Sequence, residues 1–219
     1  MSALSILILC FTQLLFQDIS EVAKPIVDNE RVVVWDVTWV EGKPSPMQPH
    51  KYDFVTIYIT GGPIKSALPD GVSTVTTRRA GDVLFEQKGT THSDEGTSLE
   101  NPARSVVVGL KDYPVQPLEN TSGYANAFPR AGVKKLLENN RIIVWDYSWT
   151  LGIPTPMHFH DKDVVVVFME NGAIRSTTPD GKSSVNDTWF GLTRFSPRDR
   201  VHVEELVKGK ARAIILELK

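Results

Sequence analysis

The 219-residue chain has a single cysteine, Cys10. That excludes an intrachain disulfide, and with it a cysteine zinc cluster or an iron–sulfur site. Charge imbalance is almost absent: 24 Lys+Arg against 26 Asp+Glu leave a net charge of -2, and no basic face is visible. A nucleic-acid partner held by phosphate neutralisation is therefore not expected. No Gly-x-Ser-x-Gly elbow occurs, which argues against nucleophilic hydrolysis. No apolar run approaches the length of about 20 residues that a spanning helix needs, so no stable membrane span is expected. Histidine is scarce too, with five in all. The remaining mix, 41% hydrophobic and 23% charged residues, is that of an ordinary globular protein. It holds enough apolar material for a core in each of two units of roughly 100 residues.

The longest apolar run, Ala3 to Phe16, is interrupted only by Ser5, Thr12 and Gln13. Its length is that of a signal-peptide h-region, which points to a secreted or periplasmic protein. Two features point the other way, to a cytoplasmic chain with an N-terminal segment packed on the fold or read from a misassigned start. The first cation, Lys24, follows the run rather than preceding it, and no small-x-small cleavage site comes after it.

Sliding the chain on itself by 110 residues aligns Asn29–Val55 with Asn139–Val165, with 13 of 27 positions identical. The register continues through Gly62/Gly172, Pro69-Asp70-Gly71/Pro179-Asp180-Gly181, Gly81/Gly191, Phe85/Phe195 and His92/His202. After Glu95/Glu205 the first copy is two residues longer, and Arg104–Leu110 then matches Arg212–Leu218. The chain is a tandem duplication. Runs such as Arg31–Val37, Phe54–Thr60 and Ala211–Leu218 are rich in β-branched and aromatic residues. Gly, Pro and Asp punctuate them, as expected of many short strands in a sandwich or barrel. The division follows: an apolar N-terminal segment over 1–25, a first barrel over 26–111, a linker over 112–132, and a second barrel over 133–219. A helical turn is expected near Val133–Glu138.

All five histidines fall at repeat-equivalent positions. His158 and His160 are spaced i, i+2 and share one face of a strand. His202 comes from another strand 42 residues later. Three imidazoles gathered across a barrel make a metal site in an all-β fold. The first copy offers Gln48, His50 and His92 in the same slots, a weaker donor set and so a degenerate second site.

These residues resemble the cupin motifs. Gly152-x5-His158-x-His160 followed by Gly172 is similar to the first motif. Gly191-x5-Pro197-x-Asp199-x2-His202 is similar to the second, with Asp199 where the family usually has Gly. The first copy matches more loosely. The resemblance implies an all-β bicupin of two tandem jelly-roll barrels, with one divalent metal in the mouth of the second. It points to the three-histidine cupins and favours Fe(II), with Zn, Mn, Cu or Ni as the other candidates. The family's first-motif carboxylate is missing: counted back from Gly172, its slot is Val165, and Val55 in the first copy.

Three functions compete. The first is a metal-dependent oxidoreductase of the dioxygenase type, acting on a small oxygen-rich molecule, with Glu204 on the face of His202 as ligand or proton carrier. Arg194 and Arg175 are candidate anchors for a substrate carboxylate. The second is a binding module for a small ligand or the metal itself. The third is a structural pair of barrels, monomeric or dimeric, with Trp35, Trp39, Trp145 and Trp149 at their interface. Met47/Met157 read as core or rim residues, while Asp53/Asp163 and Glu95/Glu205 read as loop or surface salt bridges.

Overall fold

The structure, a computed structural model, describes residues 23–219. The apolar run over 3–16 lies outside the described residues. Among the described residues there is no α-helix. The first copy forms β1 (Pro25–Asp28), β2 (Val32–Thr38), β3 (Gln48–Pro49), β4 (Asp53–Thr60) and β5 (Gly62–Ala67). It continues with β6 (Ser73–Arg78), β7 (Val83–Glu86), β8 (Thr91–Gly96) and β9 (Arg104–Leu110). The second begins with β10 (Ala125–Asn126), β11 (Lys134–Glu138), β12 (Ile142–Trp149), β13 (His158–His160) and β14 (Asp163–Phe168). β15 (Gly172–Thr177), β16 (Ser183–Thr188), β17 (Thr193–Ser196), β18 (Arg200–Gly209) and β19 (Ala211–Leu218) complete it.

Each copy is two facing sheets. In the first they run β1-β2-β9-β4-β7 and β3-β8-β5-β6; in the second, β11-β12-β19-β14-β17 and β10-β13-β18-β15-β16. The Pro-Asp-Gly triplets close the β5–β6 and β15–β16 hairpins. Gly71 and Gly181 take φ of 84° and 80° there, a conformation that costs glycine nothing. Asp199, at the position of a motif glycine, also lies in the left-handed region, with φ of 63°.

The central strands β2, β9 and β4 of the first copy and β12, β19 and β14 of the second are buried on both faces, and strand parity divides their side chains. Val55, Ile57, Val106 and Val108 of the first copy meet Val144, Val165, Val167, Ile214 and Leu216 of the second in one aliphatic seam between the barrels. Alternate residues point the other way. Trp35, Trp39, Phe54 and Tyr58 fill the first barrel, and Trp145, Trp149, Phe168 and Ile215 the second. The tryptophans therefore belong to the barrel interiors and not to the interface that the structural reading assigned them. The reason is parity: an odd and an even residue of one strand cannot share a face.

Ion pairs across the seam repeat the duplication. Arg141 reaches Asp53 at 2.9 Å, and its counterpart Arg31 reaches Asp163 at 3.5 Å. Arg104, forked on Asp36, lies against Gly191, while Arg212, forked on Asp146, lies against Gly81. Asp53 and Asp163 are thus cross-barrel partners rather than surface groups. Glu205 and Glu95 do pair near the surface, with Arg175 at 2.7 Å and Lys65 at 3.8 Å.

Two expectations change. Lys134–Glu138 is a strand, not a helical turn: β11 pairs with β12 as β1 pairs with β2, and Leu136 and Leu137 pack on the seam. The connector over 112–132 also contributes structure. β10 runs parallel to β13, Ala125 opposite His158, and Ala127 and Phe128 enter the second barrel's core.

Candidate metal centre

β13 places His158 and His160 on the inner face, and β18 sets His202 opposite His158. The three rings lie 4.7–5.1 Å apart between centroids. Their ligand atoms all fall within 4.8 Å of one another, and Nε2 of His160 and Nε2 of His202 are 3.0 Å apart. All three side chains belong to residues at most 9% exposed.

Their neighbours fix the rings. Nδ1 of His158 donates to the Pro156 carbonyl at 2.8 Å, leaving the Nε2 lone pair for the centre. Nδ1 of His202 is 3.1 Å from the Ser176 hydroxyl. Burial, reinforced by Arg200 and His202, pushes the His160 imidazole down to about 2. Burial likewise takes His202 down to about 4 and lowers His158. All three are neutral at physiological pH, the form that can donate a lone pair to a metal.

The nitrogens of His160 and His202, 3.0 Å apart, are close enough for one ion to be held by both. Three neutral imidazoles on one side of an open cavity suit Fe, Cu, Ni or Zn. The residues fit a divalent ion.

Glu204 stands beside them, its Oε1 3.8 Å from Nε2 of His202. Its Oε2 accepts from Trp149 Nε1 and from Arg130, each at 3.2 Å. Burial alone would raise this carboxyl, but the facing Arg130 guanidinium pulls the other way and the group lies below its ordinary value. Arg130 also stacks on Tyr147 at 4.1 Å and on Phe128 at 4.7 Å, and its Nη1 is 3.5 Å from His158 Nε2. It escaped the sequence reading because it lies in the connector, outside the repeat. Of the two arginines that reading named, Arg194 lines the cavity, and Arg175 turns outward to Glu205.

The missing carboxylate slot also needs correction. Val165 faces the seam, and it is Val164 that lines the cavity beside His160. Counting from a distant glycine put the slot one residue off, which on a strand is the opposite face. Both residues are valine, so the site still lacks that carboxylate. Val55 likewise faces the seam, with Phe54 inward.

In the first barrel the geometry differs. The residues able to converge on an ion are His50, Glu86 and His92, with Glu86 in place of Gln48, which lines the same cavity. His92 is held between Asp94 Oδ1 at 3.2 Å and Glu86 Oε1 at 3.0 Å. Those hydrogen bonds, Asp94 first, raise the imidazole to about 10, so it sits as a cation with both nitrogens donating. A metal would have to displace that proton. Glu86 immediately precedes the second-motif position Gln87, where strand parity could have revealed it.

Several solved structures superpose over most of the chain. A Cupin 2 conserved barrel domain protein from Leptotrichia buccalis superposes with a TM-score of 0.58 at 15% identity, over 90% of this chain and 88% of its own. The chain has the cupin fold. An oxalate decarboxylase superposes with a TM-score of 0.59 at 12% identity, over 86% of this chain and 69% of its own. A Bacillus subtilis oxalate decarboxylase, described for its Mn(II) centres, superposes with a TM-score of 0.57 at 12% identity. No family model and no curated protein matches the sequence. Alignment over both halves is what a bicupin requires, and the second barrel is the one with a neutral histidine triad. No helix among the described residues is long and apolar enough to cross a membrane.

Proposed function

We propose that this bicupin is a metal-dependent oxidoreductase of the dioxygenase type, working in its second barrel on a small oxygen-rich molecule. The observation that carries the proposal is the convergence of His158, His160 and His202, all neutral, at a cavity lined by His160, His202 and the Glu204 carboxylate. Three protein ligands leave open positions for substrate and O₂ or water. A bound Fe(II), the favoured ion, supplies Lewis acidity and access to O₂; Mn, named for a structural relative, stands beside it, ahead of Zn, Cu and Ni. The chain's own residues do the rest. Arg130 and Trp149 hold Glu204 ionised and turned toward His202, where it can take a substrate proton. Phe168, Ile174 and Ile215 keep the cavity floor dry.

The test combines elemental analysis with O₂ uptake. Protein purified without a His-tag is expected to carry about one Fe or Mn per chain, lost in His202→Ala. Glu204→Gln is expected to keep the metal and lose turnover by roughly 100-fold or more. The proposal falls if wild-type protein takes up no stoichiometric metal on incubation with Fe(II), Mn(II), Cu(II), Ni(II) or Zn(II).

A further inference from the structure

The cavity of the second barrel, about 180 Å³ in volume, is lined by three guanidinium groups, those of Arg130, Arg194 and Arg200, and by one carboxylate, Glu204. Arg130 is paired with that carboxylate at 3.2 Å. Arg194 gives one N–H to the Asp187 carbonyl at 3.1 Å, and Arg200 gives its Nε to the Pro197 carbonyl. Among the described residues no carboxylate lies within ion-pairing distance of either. The cavity thus carries surplus positive charge before any metal is bound. Both guanidiniums are reachable from solvent, so an anion entering the cavity can pair with them.

The wall beside Arg194 is apolar: Val164, Val166, Phe168 and Ile215 share its sheet, and Ile174 faces them from β15. Parity on paired strands sets this arrangement: Arg194 is paired directly with Val166, so the two side chains are neighbours on the inner face. The first barrel is an internal control. Its residues at the Arg194 and Arg200 positions are Leu84 and Thr90, and its cavity is lined by Glu86 and Asp94 instead. There two carboxylates face two cations, Lys51 and the His92 imidazolium, so the first cavity lacks the surplus positive charge of the second.

The geometry points to a substrate class: a small organic monoanion, one carboxylate joined to a compact apolar body, with the carboxylate on Arg194 and Arg200 and the body on the Val164–Ile215 wall. Guanidinium forks match a planar carboxylate. This deepens the proposed function and rests on it for turnover, but binding of the anion does not require the metal.

The test uses metal-stripped full-length protein and calorimetric titration with isovalerate, its uncharged isostere isovaleramide, oxalate and inorganic phosphate. Isovalerate is expected to bind at least roughly tenfold tighter than the amide, and tighter than oxalate or phosphate, neither of which has an apolar body. In the double variant Arg194→Leu, Arg200→Thr, which installs residues the first barrel already folds with, the preference for acid over amide is expected to vanish while metal uptake persists. The inference is overturned if isovalerate does not bind, if the amide binds as well, if oxalate or phosphate binds tighter, or if the variant keeps the preference. The wild-type comparison decides the charge requirement even where the variant does not fold. Acid preference without metal uptake supports the anion site and sinks the metalloenzyme; metal uptake without acid preference does the reverse.

Discussion

At the scale of single residues, the duplication lets one position be compared in two contexts. Trp145 donates its Nε1–H to Glu217 at 2.7 Å. Its counterpart Trp35 has a buried Nε1 with no partner, because the residue matching Glu217 is Gly109. Removing the donor should therefore strip a carboxylate in one barrel and relieve an orphaned group in the other. Urea denaturation is expected to find Trp145→Phe about 1–3 kcal/mol costlier than Trp35→Phe; equal costs would mean that packing alone matters. Burial raises the Glu217 carboxyl above its ordinary value, against the pull of Trp145. The folded state then holds this proton more tightly than the unfolded chain. The group's contribution is fully present below the unfolded value of about 4.3 and is lost as pH rises through the raised folded one. Glu217→Gln, which keeps an acceptor for Trp145, is expected to raise Tm at about pH 8 and to gain nothing at about pH 4. A gain of the same size at both would rule out the buried charge as its cause.

At the scale of elements, the strands β2, β4 and β9 and their second-copy counterparts each serve two cores, one residue inward and the next toward the seam. That is why they read as continuous apolar runs instead of alternating ones. It also explains why the count back from Gly172 to Val165 has no check in the sequence, since periodicity carries no information where both faces are dry. The cross-barrel pairs are the polar fasteners of these strands. Asp53 also accepts the Lys88 amide at 2.8 Å, so deleting Arg141 would leave a half-buried carboxylate short of its strongest partner. Arg141→Ala is expected to cost about 2 kcal/mol in denaturant titration, and Asp53→Asn added to it should cost little more. Additive losses would show that the two do not interact.

At the scale of the whole molecule, the seam makes the two barrels one cooperative body. Ile57 and Ile214 are fully buried in it from opposite sides. Ile214→Ala is expected to cost about 2–5 kcal/mol and to lower a single transition seen alike by tryptophan fluorescence and far-UV circular dichroism. Two separated transitions would mean that the barrels unfold independently. The seam also explains how the copies could diverge at their centres. The aliphatic faces and the Arg–Asp pairs keep their pattern in both barrels, while the interiors went to a neutral triad in one and a clamped imidazolium in the other.

The sequence by itself determined the duplication, the all-β class and the three histidines, because each is written locally: a repeat is visible in one dimension, and spacing of two puts neighbours on one face of a strand. Tertiary structure decided the rest. Which face of a doubly buried strand looks inward depends on what covers the other face. Arg130 joined the site, and Glu86 displaced Gln48, through contacts between segments far apart in the chain. The protonation of each histidine depends on neighbours brought in by folding: desolvation leaves His202 neutral, and two carboxylates make its counterpart His92 a cation. Charge and burial are properties of surroundings, and the surroundings exist only once the chain has folded.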